Sequence, residues 1–513
     1  MPRKGSQKVK TGCLTCKIRK IKCDEAKPHC LRCTSTQRIC DGYAPEAYRT
    51  HSWDELLSSN AIIPSPSNGR SNREGRAIDF FLHVAAPNLS NYPDKEFWTR
   101  LVPMACQQEP AVRHAAIAIS SIYEQLRDGR SDALDYPGGR FALSHYHQAL
   151  SHLTRKSNSE FTMLFLCILF VCIETLQKNV PAAIEHCRHG ITILNNATMT
   201  PWVREKLTPM FVRLSIFPFF FGSTVTTFPS LSDLVTGATA PYTTLEESLS
   251  ALELLQARSV RFIRSSDTYR QGIMYRVEFP NNLHQEQSAI LAALGQWLHD
   301  FSIFREAYPP TSHDAKAPYL GTLIKGLVCK IWVGGVLDKT EMGYDNQLAS
   351  FKAVVDAAEK IISLLPPAQT LYSKSKFTFG MGYMPPLYLV VIKCRNLNIR
   401  RAALKAMVSL ATCQENLWDL SVMSATGRRV IELEHGINLE TFDREDLPDA
   451  HVFVPPDEMR IRDSIITKSR ETQIDASKQS TRYMLVSFLF ATLAGFSFVD
   501  EWLPIGPVPT SST

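Results

Sequence analysis

Residues 13–40 read CLTCKIRKIKCDEAKPHCLRCTSTQRIC, and this stretch holds six of the thirteen cysteines of a 513-residue chain. Its cysteines follow the spacing C-x2-C-x6-C-x6-C-x2-C-x6-C. The three cysteines of the first half return seventeen residues later, so that Cys13, Cys16 and Cys23 correspond to Cys30, Cys33 and Cys40. The stretch therefore consists of two copies of one C-x2-C-x6-C unit.

This spacing indicates a metal site. An odd number of cysteines without an apolar export signal argues against a disulfide framework. Two thiolates at C-x2-C spacing can bind one tetrahedral zinc ion, and six sulfurs fill the positions around two ions if two sulfurs bridge both. The bridges should be equivalent cysteines, which leaves three pairs: Cys13 with Cys30, Cys16 with Cys33, or Cys23 with Cys40. A ribbon with one zinc ion is the alternative, but it leaves Cys23 and Cys40 without a role. The sequence predicts two Zn²⁺ ions.

Positive charge is concentrated at the same end of the chain. Residues 1–50 contain twelve Lys or Arg and four Asp or Glu, which gives +8, whereas the whole chain carries +6. The other residues therefore sum to −2. A local basic block is typical of a surface that binds nucleic acid. We expect double-stranded DNA as the partner of the cysteine-rich segment.

The segment from Gly12 to Cys40 resembles the fungal zinc binuclear cluster DNA-binding domain. The likeness rests on all six cysteines, on the basic run over residues 17–22, and on Pro28 two residues before the fourth cysteine. The resemblance implies that Cys13 and Cys30 are the bridging ligands. It also implies a nuclear, sequence-specific regulator of RNA polymerase II-type promoters. The implied ligand sets are Cys13, Cys16, Cys23 and Cys30 for one ion, and Cys13, Cys30, Cys33 and Cys40 for the other.

The same resemblance assigns the basic residues. Arg19 and Lys20 are expected to contact a CGG-like triplet, because guanine presents paired acceptors to Arg or Lys in the major groove. Phosphate contacts, which position the module without specifying sequence, are expected from Lys17, Lys22, Lys27 and Arg32. Short helices are expected after Cys16 and Cys33. The alternative interpretation is a zinc module that contacts protein.

The remainder of the chain favours a mainly α fold. Apolar residues recur at the helical period from about Glu74 onward, and no alternation of strands and helices is present. Stripes of this kind include Leu143, Tyr146, Leu150 and Leu153. Leu348–Leu365 ends at a Pro-Pro pair. We predict a small N-terminal two-zinc, six-cysteine module and a large all-α helical domain. A short C-terminal β-hairpin of Met459–Ile466 with Tyr483–Phe490 is also possible.

This helical region resembles the regulatory region that accompanies fungal binuclear cluster factors. The likeness rests on Arg76–Leu82, Phe97-Trp98 and Glu109–Ala115. The predicted domains are the zinc cluster over 1–43, a flexible linker over 44–73, the helical domain over 74–500 and a tail over 501–513.

Motifs of catalysis are missing from the sequence. It holds no P-loop, no dinucleotide-binding glycine fingerprint and no G-x-S-x-G elbow, so we predict that the protein is not an enzyme and has no catalytic residues. The rival hypotheses are a helical enzyme tethered by zinc, or an interaction protein without direct base readout. No apolar run is long enough to cross a membrane, so no membrane partner is expected.

Two segments bear on regulation. The aromatic run Phe217–Phe221 is interpreted as core or a helix end, with the lining of a small-molecule effector pocket as the alternative. Glu432–Asp449 mixes acidic and apolar residues, which is compatible with an activation segment for transcription coregulators; a charged loop is the alternative. Control of a metabolic or secondary-metabolite gene set is expected from the family resemblance.

Overall fold

The chain divides into two units, Met1–Ser65 and Pro66–Thr513. In this computed structural model, the described residues of the first unit are 13, 15–16, 19, 21–26, 29–36, 38 and 40. Those of the second unit are 72–90, 92–129, 137–155, 159–196, 200–231, 238–365, 375–440, 454–473, 480–492 and 495–506. The predicted linker lies outside these ranges except for Asn72 and Arg73, which begin a helix.

The first unit contains one short described helix, α1 (Leu31–Thr34), which directly follows Cys30. Its start is fixed by Asp24, whose carboxylate accepts the N–H groups of Leu31 at 2.9 Å and Arg32 at 3.0 Å. The first turn of a helix has backbone N–H groups without partners inside the helix, and an acidic side chain placed there stabilises the helix by accepting hydrogen bonds from them. The helix therefore contains Cys33, whereas the sequence analysis had placed it after Cys33.

The second unit is mainly helical, which confirms the predicted fold class. Its first helices are α2 (Asn72–Phe80), α3 (Ala86–Leu89), α4 (Val102–Gln108), α5 (Pro110–Arg127), α6 (Pro137–Arg155), α7 (Glu160–Leu176), α8 (Val180–Asn196), α9 (Pro201–Lys206) and α10 (Thr208–Leu214). The later ones are α11 (Leu245–Arg270), α12 (Asn281–Ala307), α13 (His313–Gly335), α14 (Leu348–Leu364), α15 (Met384–Lys393), α16 (Leu397–Leu410) and α17 (Leu420–His435).

Short π-helical and 3₁₀ segments extend or connect these helices. They are the π-helical turns Phe81–Ala85 and Phe97–Leu101 and the 3₁₀ turns Phe217–Phe220, Met342–Gln347 and Asp457–Met459. One helix start carries a complete capping motif: Thr244 and Glu247 form a reciprocal capping box at the start of α11, which provides hydrogen-bond acceptors for two backbone N–H groups.

Helices that follow one another pack side by side. Helix α5 lies against α6 and α7, α11 against α12, and α12 and α14 both against α13. One apolar cluster is built from α11, α12 and α13 around Trp297 and Phe301. A second cluster joins α13 and α14 to α15, α16, α17 and the C-terminal strands. Within the described part of the chain, no helix combines the length and apolar character needed to cross a membrane.

The C-terminal strands form a three-stranded antiparallel sheet in the order β3–β4–β5. Its strands are β3 (Ile461–Gln473), β4 (Ser480–Thr492) and β5 (Gly495–Ile505). Ile461 pairs with Phe490 and Ile466 with Val486, so the predicted hairpin is present, and a third strand adds to it. The last strand extends past residue 500, where the sequence analysis placed the end of the domain. A small ribbon of β1 (Gln414–Glu415) and β2 (Trp418–Asp419) precedes α17.

Candidate metal centre

The six cysteine thiols of the first unit converge. The Sγ of Cys13 lies 3.5 Å from that of Cys30 and 3.8 Å from that of Cys33, and the Sγ atoms of Cys16 and Cys30 are 3.7 Å apart. Four sulfurs around a tetrahedral zinc ion, with Zn–S bonds of about 2.3 Å, are separated by about 3.8 Å. The thiols therefore have the spacing that zinc requires.

Two sets of four thiols share two members. One set is Cys13, Cys16, Cys23 and Cys30, the other is Cys13, Cys30, Cys33 and Cys40, and the sulfurs of each set lie within 4.8 Å of one another. Among the described residues, these are the only groups of three or more His, Cys, Asp or Glu side chains that could hold a metal ion. Two ions with two shared thiolates fit this arrangement.

The two halves of the module repeat their hydrogen bonds as well as their sequence. Two pairs of backbone N–H groups, each pair seventeen residues apart, donate to equivalent acceptors. They are Cys13 N–H to Cys23 Sγ at 3.4 Å, Cys30 N–H to Cys40 Sγ at 3.5 Å, Ile21 N–H to the Cys16 carbonyl at 3.1 Å, and Arg38 N–H to the Cys33 carbonyl at 3.0 Å. The sequence repeat is therefore a structural repeat, and each half can supply the same ligand geometry.

Five of the six thiols are buried, and Cys23 is half-buried. Burial raises the pKa of the Cys13 thiol to about 12 and also raises the pKa values of Cys16 and Cys30. Because zinc binds the thiolate, it displaces protons from these groups, and its apparent affinity falls as the pH falls. These residues are thiols that ionise when a cation binds them.

Three of the six predicted DNA-contacting residues are described, and all three reach the surface of the first unit. Lys22 and Arg32 are exposed, and Arg19 is half-buried, with its Nη1 donating to the Thr36 hydroxyl at 3.3 Å. Lys17, Lys20 and Lys27 lie outside the described residues.

Two residues with a role in the module were missed in the sequence analysis. Asp24 holds the start of α1, and a signal was present, since an acidic residue stands directly after the third cysteine. Thr36 contacts Arg19, and the repeat contained the signal, because these two residues occupy equivalent positions seventeen residues apart.

The acidic segment of the second unit is in part structural. Glu434 lies in α17, is fully buried and accepts from Arg400 Nη1 at 2.6 Å and from Arg395 Nη2 at 3.3 Å. This residue belongs to the core and cannot contribute to an exposed activation segment. Residues 441–449, which complete the predicted segment, lie outside the described residues.

Both units match known protein families. Residues 11–49 match the fungal Zn(2)-Cys(6) binuclear cluster domain, which binds two zinc ions, as the sequence predicted. Residues 76–331 match the fungal specific transcription factor domain. Neither matched domain is enzymatic. No solved structure was found to match the chain.

Curated relatives are transcription regulators. The chain is 25% identical over 420 residues to the aspercryptin biosynthesis cluster-specific transcription regulator atnN of Emericella nidulans, covering 72% of this chain and 67% of that protein. It is 28% identical over 214 residues to the transcription regulator lscL of Purpureocillium lilacinum, covering 37% of this chain and 49% of that one. An uncharacterized transcriptional regulatory protein of Schizosaccharomyces pombe is 26% identical over 276 residues, covering 49% and 48%. The chain thus belongs to the fungal DNA-binding transcription regulators that carry an N-terminal zinc binuclear cluster.

Proposed function

We propose that this protein is a nuclear regulator that recognises CGG-like DNA elements through Arg19 and Lys20 and controls a set of secondary-metabolite genes. The gene set is suggested by the relative from Emericella nidulans, whose name assigns it to one biosynthesis cluster. In this proposal, residues 1–43 read DNA, a linker joins the two parts, and the regulatory domain, predicted over 74–500, runs from the helix that begins at Asn72 to the end of β5 at Ile505. The protein has no catalytic role, and its helical domain receives coregulators and a small-molecule effector.

The observation that carries DNA recognition is an asymmetry of charge within the repeat. The ligands recur in both halves, but the basic residues between the second and third cysteines of each half do not. Lys17, Arg19, Lys20 and Lys22 of the first half correspond to Thr34, Thr36, Gln37 and Ile39 of the second. Metal binding alone does not require this difference. A polyanion that contacts the first half does require it.

Arg19 has the chemistry and the support of a base-reading residue. A guanidinium carries five N–H donors, so the bond to Thr36 orients the group and leaves other donors for a base. Its backbone N–H also bonds to the Thr15 carbonyl at 3.1 Å, which holds residue 19 in a helical turn. A guanidinium held in this way can donate two hydrogen bonds to O6 and N7 of guanine.

Binding of the full chain to short duplexes tests the proposal. One duplex carries a single CGG triplet, the other a scrambled triplet, and both are titrated by fluorescence anisotropy at several salt concentrations. Arg19→Ala should weaken binding to the CGG duplex by about 1–3 kcal/mol and reduce discrimination between the duplexes. Lys22→Ala should weaken binding to both duplexes equally and reduce the slope of log affinity against log salt concentration by about one unit.

Arg38→Ala is the matched control. Arg38 is an exposed arginine in the second half, and its equivalent in the first half is the uncharged Ile21. We expect it to leave discrimination intact. Equal losses for Arg19→Ala and Arg38→Ala on both duplexes would show that the module binds DNA by charge alone, and the rival hypothesis without base readout would then hold.

The gene set is tested separately. Mapping of genomic binding sites, combined with expression profiling of a deletion strain, should find bound promoters within one biosynthetic gene cluster and altered transcripts from those genes. Bound sites scattered over unrelated housekeeping promoters would contradict this part of the proposal.

A further inference from the structure

A large cavity lies within the second unit. Its volume is about 1340 Å³, above the roughly 300–1,000 Å³ that is common for small-molecule sites. Helices α11 and α13 line it on one side, and α15, α17, β3 and β4 line it elsewhere. The space would hold a bulky ligand.

One wall of the cavity is aromatic, and we call Phe220, Trp332 and Trp418 the aromatic wall. Phe220 stacks on Trp332, with centroids 5.6 Å apart and an interplanar angle of 26°, and meets Trp418 edge-on at 5.4 Å. The Nε1 of Trp418 is buried without a hydrogen-bond partner. Such a surface suits the flat face of an aromatic ligand, which can also accept a hydrogen bond from the indole. The run Phe217–Phe221 thus contributes to the cavity, as its alternative interpretation held.

Cations outnumber acids in the lining, where eight Lys or Arg side chains accompany five Asp or Glu. Most of the cations are paired within the protein. Lys325 is different: no described residue forms a hydrogen bond or ion pair with its ammonium group, and burial lowers its pKa. The nearby carboxylate of Glu253 accepts from Arg213 Nη1 through Oε2 at 2.8 Å, and its Oε1 is buried without a partner among the described residues. The Lys325 side chain is half-buried and lines the cavity, so its ammonium group is available to an anionic ligand.

Arg462 of β3 supplies a second unsatisfied cation. It is only 6% exposed. Its Nη2 forms an ion pair with Asp457, but Nε and Nη1 have no hydrogen-bond partner among the described residues. Buried donors are nearly always satisfied in folded proteins. Two cationic side chains with unused donors therefore line a space bounded elsewhere by aromatic rings.

We infer that this cavity binds a bulky aromatic small molecule with an acidic group, the group pairing with Lys325 and Arg462 and the rings lying on the aromatic wall. The inference names the effector of the proposed function and rests on that function for its regulatory meaning. Lys325 belongs to the family-matched region, whereas Arg462 lies outside it. A ligand held by both side chains would join these two parts of the second unit and raise its thermal stability.

Two fluorescent probes that differ by one charge can test the inference on the full chain. The probe 8-anilinonaphthalene-1-sulfonate is an aromatic anion, and N-phenyl-1-naphthylamine has the same rings without the sulfonate. Both should bind at one saturable site. Lys325→Met should weaken binding of the anionic probe at least about 10-fold, because a hydrogen bond to a charged group is lost. The same substitution should change binding of the neutral probe less than about 3-fold. Lys325→Arg should retain the anionic probe.

Lys330→Met is the matched control, since Lys330 lies on the same helix, α13, outside the cavity lining. It should leave both probes unaffected. Thermal unfolding checks that the variants fold, and Lys325→Met should not lower the unfolding midpoint, because it removes a half-buried charge that forms no hydrogen bond or ion pair with a described residue. The inference would be overturned if Lys325→Met weakened binding of both probes equally, or if Lys330→Met had the same effect as Lys325→Met. It would also be overturned if probe binding did not saturate.

Binding to the CGG duplex, measured on the same samples, separates the two proposals. If replacement of Lys325 did not weaken the anionic probe selectively while CGG recognition stayed intact, only the cavity inference would be overturned. Intact probe binding without CGG discrimination would overturn the proposed DNA recognition and leave the cavity as a ligand site.

Discussion

Two cysteines, Cys13 and Cys30, belong to both thiol sets, and this sharing predicts how each cysteine affects the zinc content. Cys13 belongs to both sets, whereas Cys23 and Cys40 each belong to one. Replacing Cys13 with alanine should therefore remove a ligand from both ions. Replacing Cys23 or Cys40 should remove a ligand from one ion and leave the other with four thiolates.

The expected sizes of these effects differ enough to be measured. A structural zinc ion contributes an apparent binding free energy of about 10–16 kcal/mol. A module of about 40 residues has a folding free energy of only roughly 2–6 kcal/mol by the usual per-residue range. The module therefore depends on its ions. Cys13→Ala should leave it without zinc and unfolded, and the single-set variants should retain about one ion per chain.

The assay is metal analysis of the purified full chain after dialysis against a weak chelator. The wild-type chain should contain two zinc ions, Cys23→Ala and Cys40→Ala about one, and Cys13→Ala none. Cys106→Ala, which deletes a buried thiol of the second unit, should retain both and serves as the control. One retained ion in Cys13→Ala, or none in Cys40→Ala, would refute the assignment of Cys13 as a bridge.

Two further predictions concern the second unit. Glu434→Gln should lower the free energy of unfolding by about 3–5 kcal/mol in urea denaturation, because it leaves the buried Arg400 without a counter-charge among the described residues. Glu440→Gln, at a side chain that is 76% exposed, should change it by less than about 0.5 kcal/mol. Burial, together with the neighbouring His145, lowers the pKa of His114 to about 4 from an ordinary value of 6.5. The unfolded chain therefore binds the proton more readily, and stability is lost as the pH falls from 6.5 towards 4. His114→Gln should reduce this loss in thermal unfolding measured at pH 7 and pH 5, and an unchanged pH dependence would contradict the assignment.

Local patterns allowed part of this structure to be predicted. The convergence of the thiols follows from the cysteine spacing, because each C-x2-C pair is close along the chain. Helix α14 was predicted over Leu348–Leu365 and ends at Leu364, since a Pro-Pro pair follows it and the residue before a proline disfavours helical backbone. Both signals are contained in a few neighbouring residues.

The buried face of helix α6 depends on tertiary contacts that the local sequence pattern does not report. The stripe predicted for α6 included Leu143, which is 41% exposed, whereas Ala142, His145 and Ala149 are buried. The buried face is displaced because α5 packs closely against small residues there, and because His145 forms a hydrogen bond with His114 of α5 at 2.8 Å. A histidine and two alanines give a weak hydrophobic signal, so the leucines of the next face dominated the sequence pattern.

The C-terminal sheet was predicted in part for a similar reason. The predicted hairpin lies within β3 and β4 except for Met459 and Arg460, which precede β3, and apolar residues such as Val486 and Phe488 are buried there. Strand β5 carries Asp500, Glu501 and Pro504, residue types that are uncommon in strands. It pairs with only one neighbour, β4, and an edge strand tolerates such residues because one side faces away from the sheet.

The cavity had almost no signal in the sequence. Its lining runs from Tyr92 to Met484, so the residues that meet there are hundreds of positions apart. The feature that indicates a ligand is that, in the described part of the chain, neither Lys325 nor two nitrogens of Arg462 have a hydrogen-bond partner. Whether a charged side chain has a partner is a property of the folded arrangement, and no periodicity reports it.

The zinc module separates two tasks that a small DNA-binding unit must perform. Its fold depends on ligands that recur in both halves, and the basic run over residues 17–22 occurs in the first half alone. On the proposed assignment, the base-reading residues Arg19 and Lys20 are not ligands, and five of the six ligands are buried. Substitutions at residues 17–22 can therefore change which sequence is bound without changing zinc content. The reverse does not hold, because loss of a bridging thiolate removes the metal that positions every basic residue of the first half.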